Sequence, residues 1–222
     1  MKYLIILLTL FSFNLLKAQS GYEIDGNIHG LTENTKIYLI NAGEKKILDS
    51  AIVSNEKFIL KGKLKEVIHT YLYEGKANKL ADILLDNQKI KVFGEAPNYD
   101  NVKITGSNID EQWKQWYTDD QKIGYLRYRV NEVQESLIAK KDTLNSRTLG
   151  EIAEELLKDR VNLLKSYVKK YGNSPAGAVL PTLCTIQDKL TRSDFLEMYK
   201  SLSTEMQKTH LGSEVLELSN KK

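Results

Sequence analysis

The sequence contains a single cysteine, Cys184. No internal disulfide can form, and there is no CxxC pair to carry dithiol chemistry. Histidine is almost as scarce, with only His29, His69 and His210. None pairs at i+2 or i+4 with another ligand in the way zinc requires, since that metal draws on several Cys or His. His29 and His69 fall in different strand segments and meet only if a sheet brings them together. HExxH, GxSxG and a phosphate-cradling glycine loop are also missing. Neither sign of charge dominates: 32 Lys+Arg stand against 29 Asp+Glu, a formal net charge of +3. Lys and Glu are scattered as on an ordinary solvated surface. A nucleic-acid binder needs a concentrated basic face, so that class is excluded. No repeat of roughly 20–50 residues is visible, which excludes a solenoid. This inventory leads us to expect no metal, no cofactor and no catalytic residue set.

What is present begins at the N-terminus. The segment MKYLIILLTLFSFNLLKAQS has a basic start at Lys2 and an apolar run from Tyr3 to Leu16, broken only by Thr9, Ser12 and Asn14. Ala18 and Ser20 fit the −3 and −1 positions of a signal-peptidase site, with cleavage after Ser20; cleavage after Ala18 is the close alternative. A membrane anchor is the competing reading, but the run is shorter than the roughly 20 residues a span needs. Residues 1–20 are therefore expected to be a signal peptide, and the chain to be exported to the periplasm or cell envelope. No cysteine lies near the cleavage site, so a lipoprotein is not expected. Loss of Lys2 and Lys17 leaves 30 basic residues against 29 acidic. No later apolar run approaches spanning length.

From Tyr22 to Thr105 the apolar period is two. YEIDGNI, KIYLI, ILDSAIV, the run Phe58–Leu64, HTYLY, Ala81–Leu85, Ile90–Phe93 and NVKIT read as about eight short strands. Turns at Asn41–Glu44, Ser54–Glu56, Gly75–Asn78 and Asp86-Asn87 separate them. This spacing is that of an antiparallel sandwich or barrel. At Gly106 the period becomes helical. Ser107 to Asp110 reads as an N-cap followed by an acid at N3. Trp113, Trp116, Ile123, Leu126, Val130, Val133 and Leu137 then recur every three or four residues, apart from a gap at Asp120. A polar turn at 140–146 leads to a second stripe through Leu149, Ile152, Leu156, Val161, Leu164, Val168 and Tyr171. The two segments read as an antiparallel helical hairpin. Ser174-Pro175 opens a third helix, which Pro181 should kink or end, and Thr191 to Asp194 caps a fourth. The expectation is an α+β chain: a β-sandwich over 21–106, then a region of about four helices over 107–222.

Two groups of side chains invite a functional reading. Cys184 lies in AVLPTLCTI with no neighbouring cation, which favours a buried packing thiol over a nucleophile. Trp113, Trp116 and Tyr117 lie close together on a helix, with Tyr125 and Tyr128 further along. Exposed, they form a binding face for a glycan, small ligand or protein. Buried, they anchor the helix, and burial is the favoured reading.

The order of these pieces resembles a known family. YEIDGNIHGLTENTKIYLI, ILDSAIVSNEKFILKGKL and ITGSNIDEQWKQW are similar to the bacterial domain of unknown function numbered 4369. The Gly26…Gly30 strand start, the Asp49-Ser50 pair and Gly106-Ser107 are the most characteristic pieces. Glu56 departs from the pattern, where glycine often precedes the strand. The resemblance implies an N-terminal domain of exported thioredoxin-like thiol-disulfide proteins of the TlpA type, common in Bacteroidota. NSPAGAVLPTL and LTRSDFLEMYKSLSTEM look like the helical stretch leading into their thioredoxin domain. The CxxC of that domain has no counterpart here, so its chemistry does not carry over. The resemblance leaves two expectations: an accessory module working with envelope proteins or thiol-disulfide partners in trans, or a truncated oxidoreductase whose C-terminus is linker-like.

Overall fold

The computed structural model describes residues 21–96 and 101–221. The expected signal peptide and the loop at Pro97 lie outside them. No helix among the described residues is long and apolar enough to cross a membrane. The chain divides into two compact units between Ser107 and Asn108.

The first unit holds eight strands: β1 (Tyr22–His29), β2 (Lys36–Asn41), β3 (Lys46–Ile52), β4 (Lys57–Gly62), β5 (Ile68–Glu74), β6 (Asn78–Leu85), β7 (Lys89–Glu95) and β8 (Lys103–Thr105). They form two four-stranded sheets, ordered β4-β1-β7-β8 and β3-β2-β5-β6. One apolar core draws on both sheets, including Ile24, Ile28, Leu60 and Val92 from the first and Ile37, Leu39, Leu72 and Ile83 from the second. The alternation read from the sequence is the cause. In β1, Tyr22, Ile24, Gly26 and Ile28 point inward while Asp25 and Asn27 face solvent. The strands are not all antiparallel, however. β1 runs parallel to β7, with Ile24 opposite Ile90 and Gly26 opposite Val92. Inward apolar alternation specifies the buried face of a strand but not its direction, so the sequence does not distinguish the two pairings.

Two inward glycines explain the β1–β4 register. Gly26 pairs with Phe58, and Tyr22 pairs with Gly62. A Cβ on Gly26 would lie 2.1 Å from Phe58 Cζ, and one on Gly62 would lie 2.5 Å from Tyr22 Oη. Each aromatic ring therefore covers the glycine opposite, an arrangement that fixes register without leaving a gap. The turn before β4 places both Asn55 and Glu56 at positive φ, 53° and 62°. That is the primed hairpin geometry, which ordinarily takes glycine second. Glu56 occupies it because its carboxylate accepts from Gly30 N–H at 2.8 Å and pairs with His29 Nδ1 at 2.8 Å.

The second unit is all helical: α1 (Asn108–Ala139), α2 (Thr143–Lys170), α3 (Pro175–Leu183), a 3₁₀ turn (Gln187–Lys189), α4 (Arg192–Ser201), α5 (Thr204–Gln207) and α6 (His210–Lys221). Ser174 caps α3 with Pro175 at its first turn, and Thr191 and Asp194 form a reciprocal capping box on α4. Six helices replace the four expected. Ser203 caps the short α5. The closing stretch, expected as a linker, is a helix whose Val215 is fully buried. Thr209 Oγ1 accepts from Gly212 N–H at its start, 3.2 Å. Pro181 does not end α3. It lies near the C-terminus, and Cys184 N–H still reaches Leu180 O at 3.1 Å.

Candidate functional site

Of the two readings of Trp113, Trp116 and Tyr117, a binding face or a buried anchor, the indoles follow the buried one. Trp113 is 7% exposed and Trp116 is 1% exposed; Tyr117 alone reaches solvent, at 45%. The indoles share the inward stripe of α1 with Ile109 and Asp120. Tyr117 lies beside both, its ring centroid 6.4 Å from Trp113 and 6.5 Å from Trp116.

Cys184 is buried, and its Sγ–H donates to Pro181 O at 3.5 Å. Burial pushes the thiol up to about 11, and the nearby Asp120 charge adds to the shift. A thiol so placed is a poor nucleophile at neutral pH. Beside it, the Arg160 guanidinium grips Asp120 through two bonds, 2.8 and 2.6 Å, and a third reaches Thr185 Oγ1 at 2.7 Å. Asp120 is fully buried. The gap at Asp120 in the apolar periodicity was thus the signature of a buried ion pair, and its partner Arg160 was not legible.

The histidines do not converge. His29 is on β1 with Glu56, whose hydrogen bond holds the imidazole above its ordinary value. His69 is on β5, in the other sheet, and meets Asp82 at 3.2 Å. Burial pushes Asp82 up, but hydrogen bonds from His69 and Lys79 outweigh it and hold the carboxyl below its usual range. The sequence reading missed the half-buried ladder to which His69 belongs. His69, Tyr71 and Tyr73 share one face of β5 with ring spacings of 5.0 and 6.2 Å, and Lys79 Nζ sits 4.4 Å from the Tyr71 ring. Their spacing of two in HTYLY was the available signal. No group of three or more His, Cys, Asp or Glu able to hold a metal occurs among the described residues.

Helices α1 and α2 form the expected hairpin, and along the outer part of its seam the contacts between them are small and polar. Arg127 Nε donates to Ala153 O, and Gln134 Nε2 donates to Ser146 O, both at 3.1 Å. A Cβ on Gly124 would come 3.4 Å from Arg160 Cζ, and one on Gly150 would come 2.7 Å from Gln134 Nε2. Small residues approach closely here, long polar side chains bond to backbone carbonyls, and larger apolar residues beside this stretch, Leu126, Val133 and Ile152, stay half-exposed.

Those residues fall on a second stripe of each helix. Ile123, Leu126, Val130, Val133 and Leu137 follow three-four spacing on α1. Leu149, Ile152, Leu156 and Leu163 occupy α2, with Asp159 in the same line. Each stripe lies about 90° behind the seam on its own helix, counting 100° per residue. Because the helices are antiparallel, equal offsets bring both stripes to one side of the hairpin. The Tyr167 hydroxyl, donating to Asp119 Oδ2 at 2.6 Å, bridges the helices on that side at its base. Leu126 is 52% exposed, Val133 50% and Ile152 43%. The opposite side is a polar groove lined by Arg127, Arg147, Glu154 and Lys158 among others.

Together these features define a two-sheet β domain joined to a helical unit with an uncovered apolar hairpin face. Residues 22–113, the β unit and the start of α1, match the family model described as Domain of unknown function (DUF4369). No curated protein matches the chain.

Proposed function

We propose that this chain is a non-catalytic interaction module of the bacterial cell envelope, exported by its N-terminal segment and acting beside thiol-disulfide proteins in trans. The observation that carries the reading is a contrast within one unit: its only thiol is closed in the core while the long hairpin holds half-exposed Leu126, Val133 and Ile152 on one side. A contiguous exposed apolar face is the mark of an interaction surface. The DUF4369 match over residues 22–113 and the resemblance to thioredoxin-linked proteins supply the envelope context.

Two measurements test the reading. N-terminal sequencing of protein from the envelope fraction should begin at Gly21, or at Gln19 if cleavage follows Ala18. Purified protein should not accelerate reduction of a disulfide substrate by dithiothreitol. An intact Met1 defeats the export reading, and reductase activity lost in Cys184→Ser defeats the non-catalytic one.

A further inference from the structure

We infer that the apolar face of the α1–α2 hairpin docks on the same face of a second copy, giving a four-helix bundle in which α1 of each copy lies over α2 of the other. The inference deepens the interaction reading above and rests on it for the premise that this face is used.

Two features select a second copy. The first is the three-four spacing on both helices, which is the pattern that packs helix against helix. A face about 22 Å long and two helices wide would bury on the order of 1,200 Å² in a pair, near the lower edge of specific interfaces. The second is charge. The outer rim of the α1 stripe carries Lys122 and Arg129, and the α2 stripe carries Asp159 at its outer edge. A membrane surface favours Lys and Arg along the polar border, and the acidic rim of α2 opposes it.

The same rims choose the symmetry. A two-fold axis across the hairpin would stack α1 on α1 and bring basic rim to basic rim. An axis along the hairpin stacks α1 on α2 and brings basic rim to acidic rim, with every neighbouring pair of helices antiparallel. Such an axis also fixes register, because point symmetry allows no slide along it. The seam sets the levels: Asp120 is opposite Arg160, Arg127 opposite Ala153, and Gln134 opposite Ser146. Lys122 then comes level with Asp159 of the other copy. The pairs the α1 rim makes now, Lys122–Asp119 and Arg129–Glu132, are exposed i,i+3 contacts. Such pairs are weak and readily exchanged.

The experiment is sedimentation equilibrium on the chain from Gly21 to Lys222, up to about 100 µM, a range that detects micromolar association. Wild type should dimerise reversibly. Leu126→Glu with Val133→Glu should weaken the dimer at least about tenfold. Both positions are half-exposed, so circular dichroism should show full helicity. Lys122→Glu should weaken the dimer, Asp159→Lys should do the same, and the two together should restore it. A wild type that stays monomeric overturns the inference and assigns the face to a different protein or to lipid. A dimer indifferent to Leu126→Glu with Val133→Glu overturns it as well. A dimer lost in both single charge variants and not restored by the pair overturns the proposed symmetry. These readouts are independent of export and of disulfide reduction, so failure here is distinguishable from failure of the proposed function.

Discussion

At Cys184, burial is the dominant influence. Desolvation, helped by the Asp120 charge, outweighs the opposing Arg160 charge and backbone hydrogen bonds and holds the thiol at about 11. Native protein should therefore resist a thiol reagent at pH 7 that reacts quickly once the chain is unfolded; rapid native labelling would contradict the closed site. Cys184→Ala should cost only about 1–3 kcal/mol as a modest packing loss. The neighbouring ion pair is a stricter case. Arg160→Met leaves Asp120 in the interior without its guanidinium, which costs about 3–5 kcal/mol for a buried pair broken on one side. Asp120→Leu combined with Arg160→Met should recover much of that loss, because the uncompensated charge is gone. Urea unfolding of the three proteins measures it, and a single-variant loss near zero would show that the network carries no stability.

At the scale of elements, legibility followed periodicity. Strand positions were readable because each strand buries one face, and the alternation in YEIDGNI records it. The parallel pairing of β1 with β7 was not, since direction leaves no mark on an alternating pattern. In the helices the three-four spacing was read as amphipathic, and it runs through buried Trp113, Trp116, Leu164 and Val168 as well as half-exposed Leu126, Val133 and Ile152. The outer contacts between the helices involve Gly124, Gly150, Ala153 and polar side chains, which a search for apolar stripes passes over. The caps at Ser174 and Thr191 were legible because their chemistry is local. Of the candidate site, Cys184 was placed correctly in the core, while the partner of Asp120 and the ladder on β5 depend on contacts between distant segments. Gly26 shows how an element-level constraint is tested. Gly26→Val drives a side chain into the Phe58 ring and should destabilise the sandwich by about 1–3 kcal/mol or more. Adding Phe58→Ala should cost less than the sum of the two single changes, because the ring that clashed is absent. Thermal melts of the four proteins of this cycle would show simple additivity if Phe58 does not cover Gly26.

Across the whole molecule, acid should be the more damaging direction of pH. Asp82 in the β domain and Asp194 in the helical unit both sit below their ordinary values. In each, burial opposes ionisation and is outweighed by hydrogen bonds, from His69 and Lys79 for Asp82 and from Lys165 and Thr191 for Asp194. A carboxyl lowered in the folded state binds its proton more readily when unfolded. Its contribution is present above the unfolded value near 4 and is lost as pH falls through the folded one. His29 has the opposite sign. Its hydrogen bond to Glu56 raises the folded value, so that contribution is full below about 6.5 and fades as pH rises through the folded value. The pair is open to solvent and screened, so it is the weaker influence. Melting temperature should stay nearly level between about pH 7 and 5 and fall steeply below about 4. Asp82→Asn and Asp194→Asn should each melt lower than wild type at pH 7, and the gap should close as the pH approaches 3, where wild type has lost the same charges. A gap that persists undiminished at that pH would mean that these carboxylates stabilise the fold through something other than their ionised pairs.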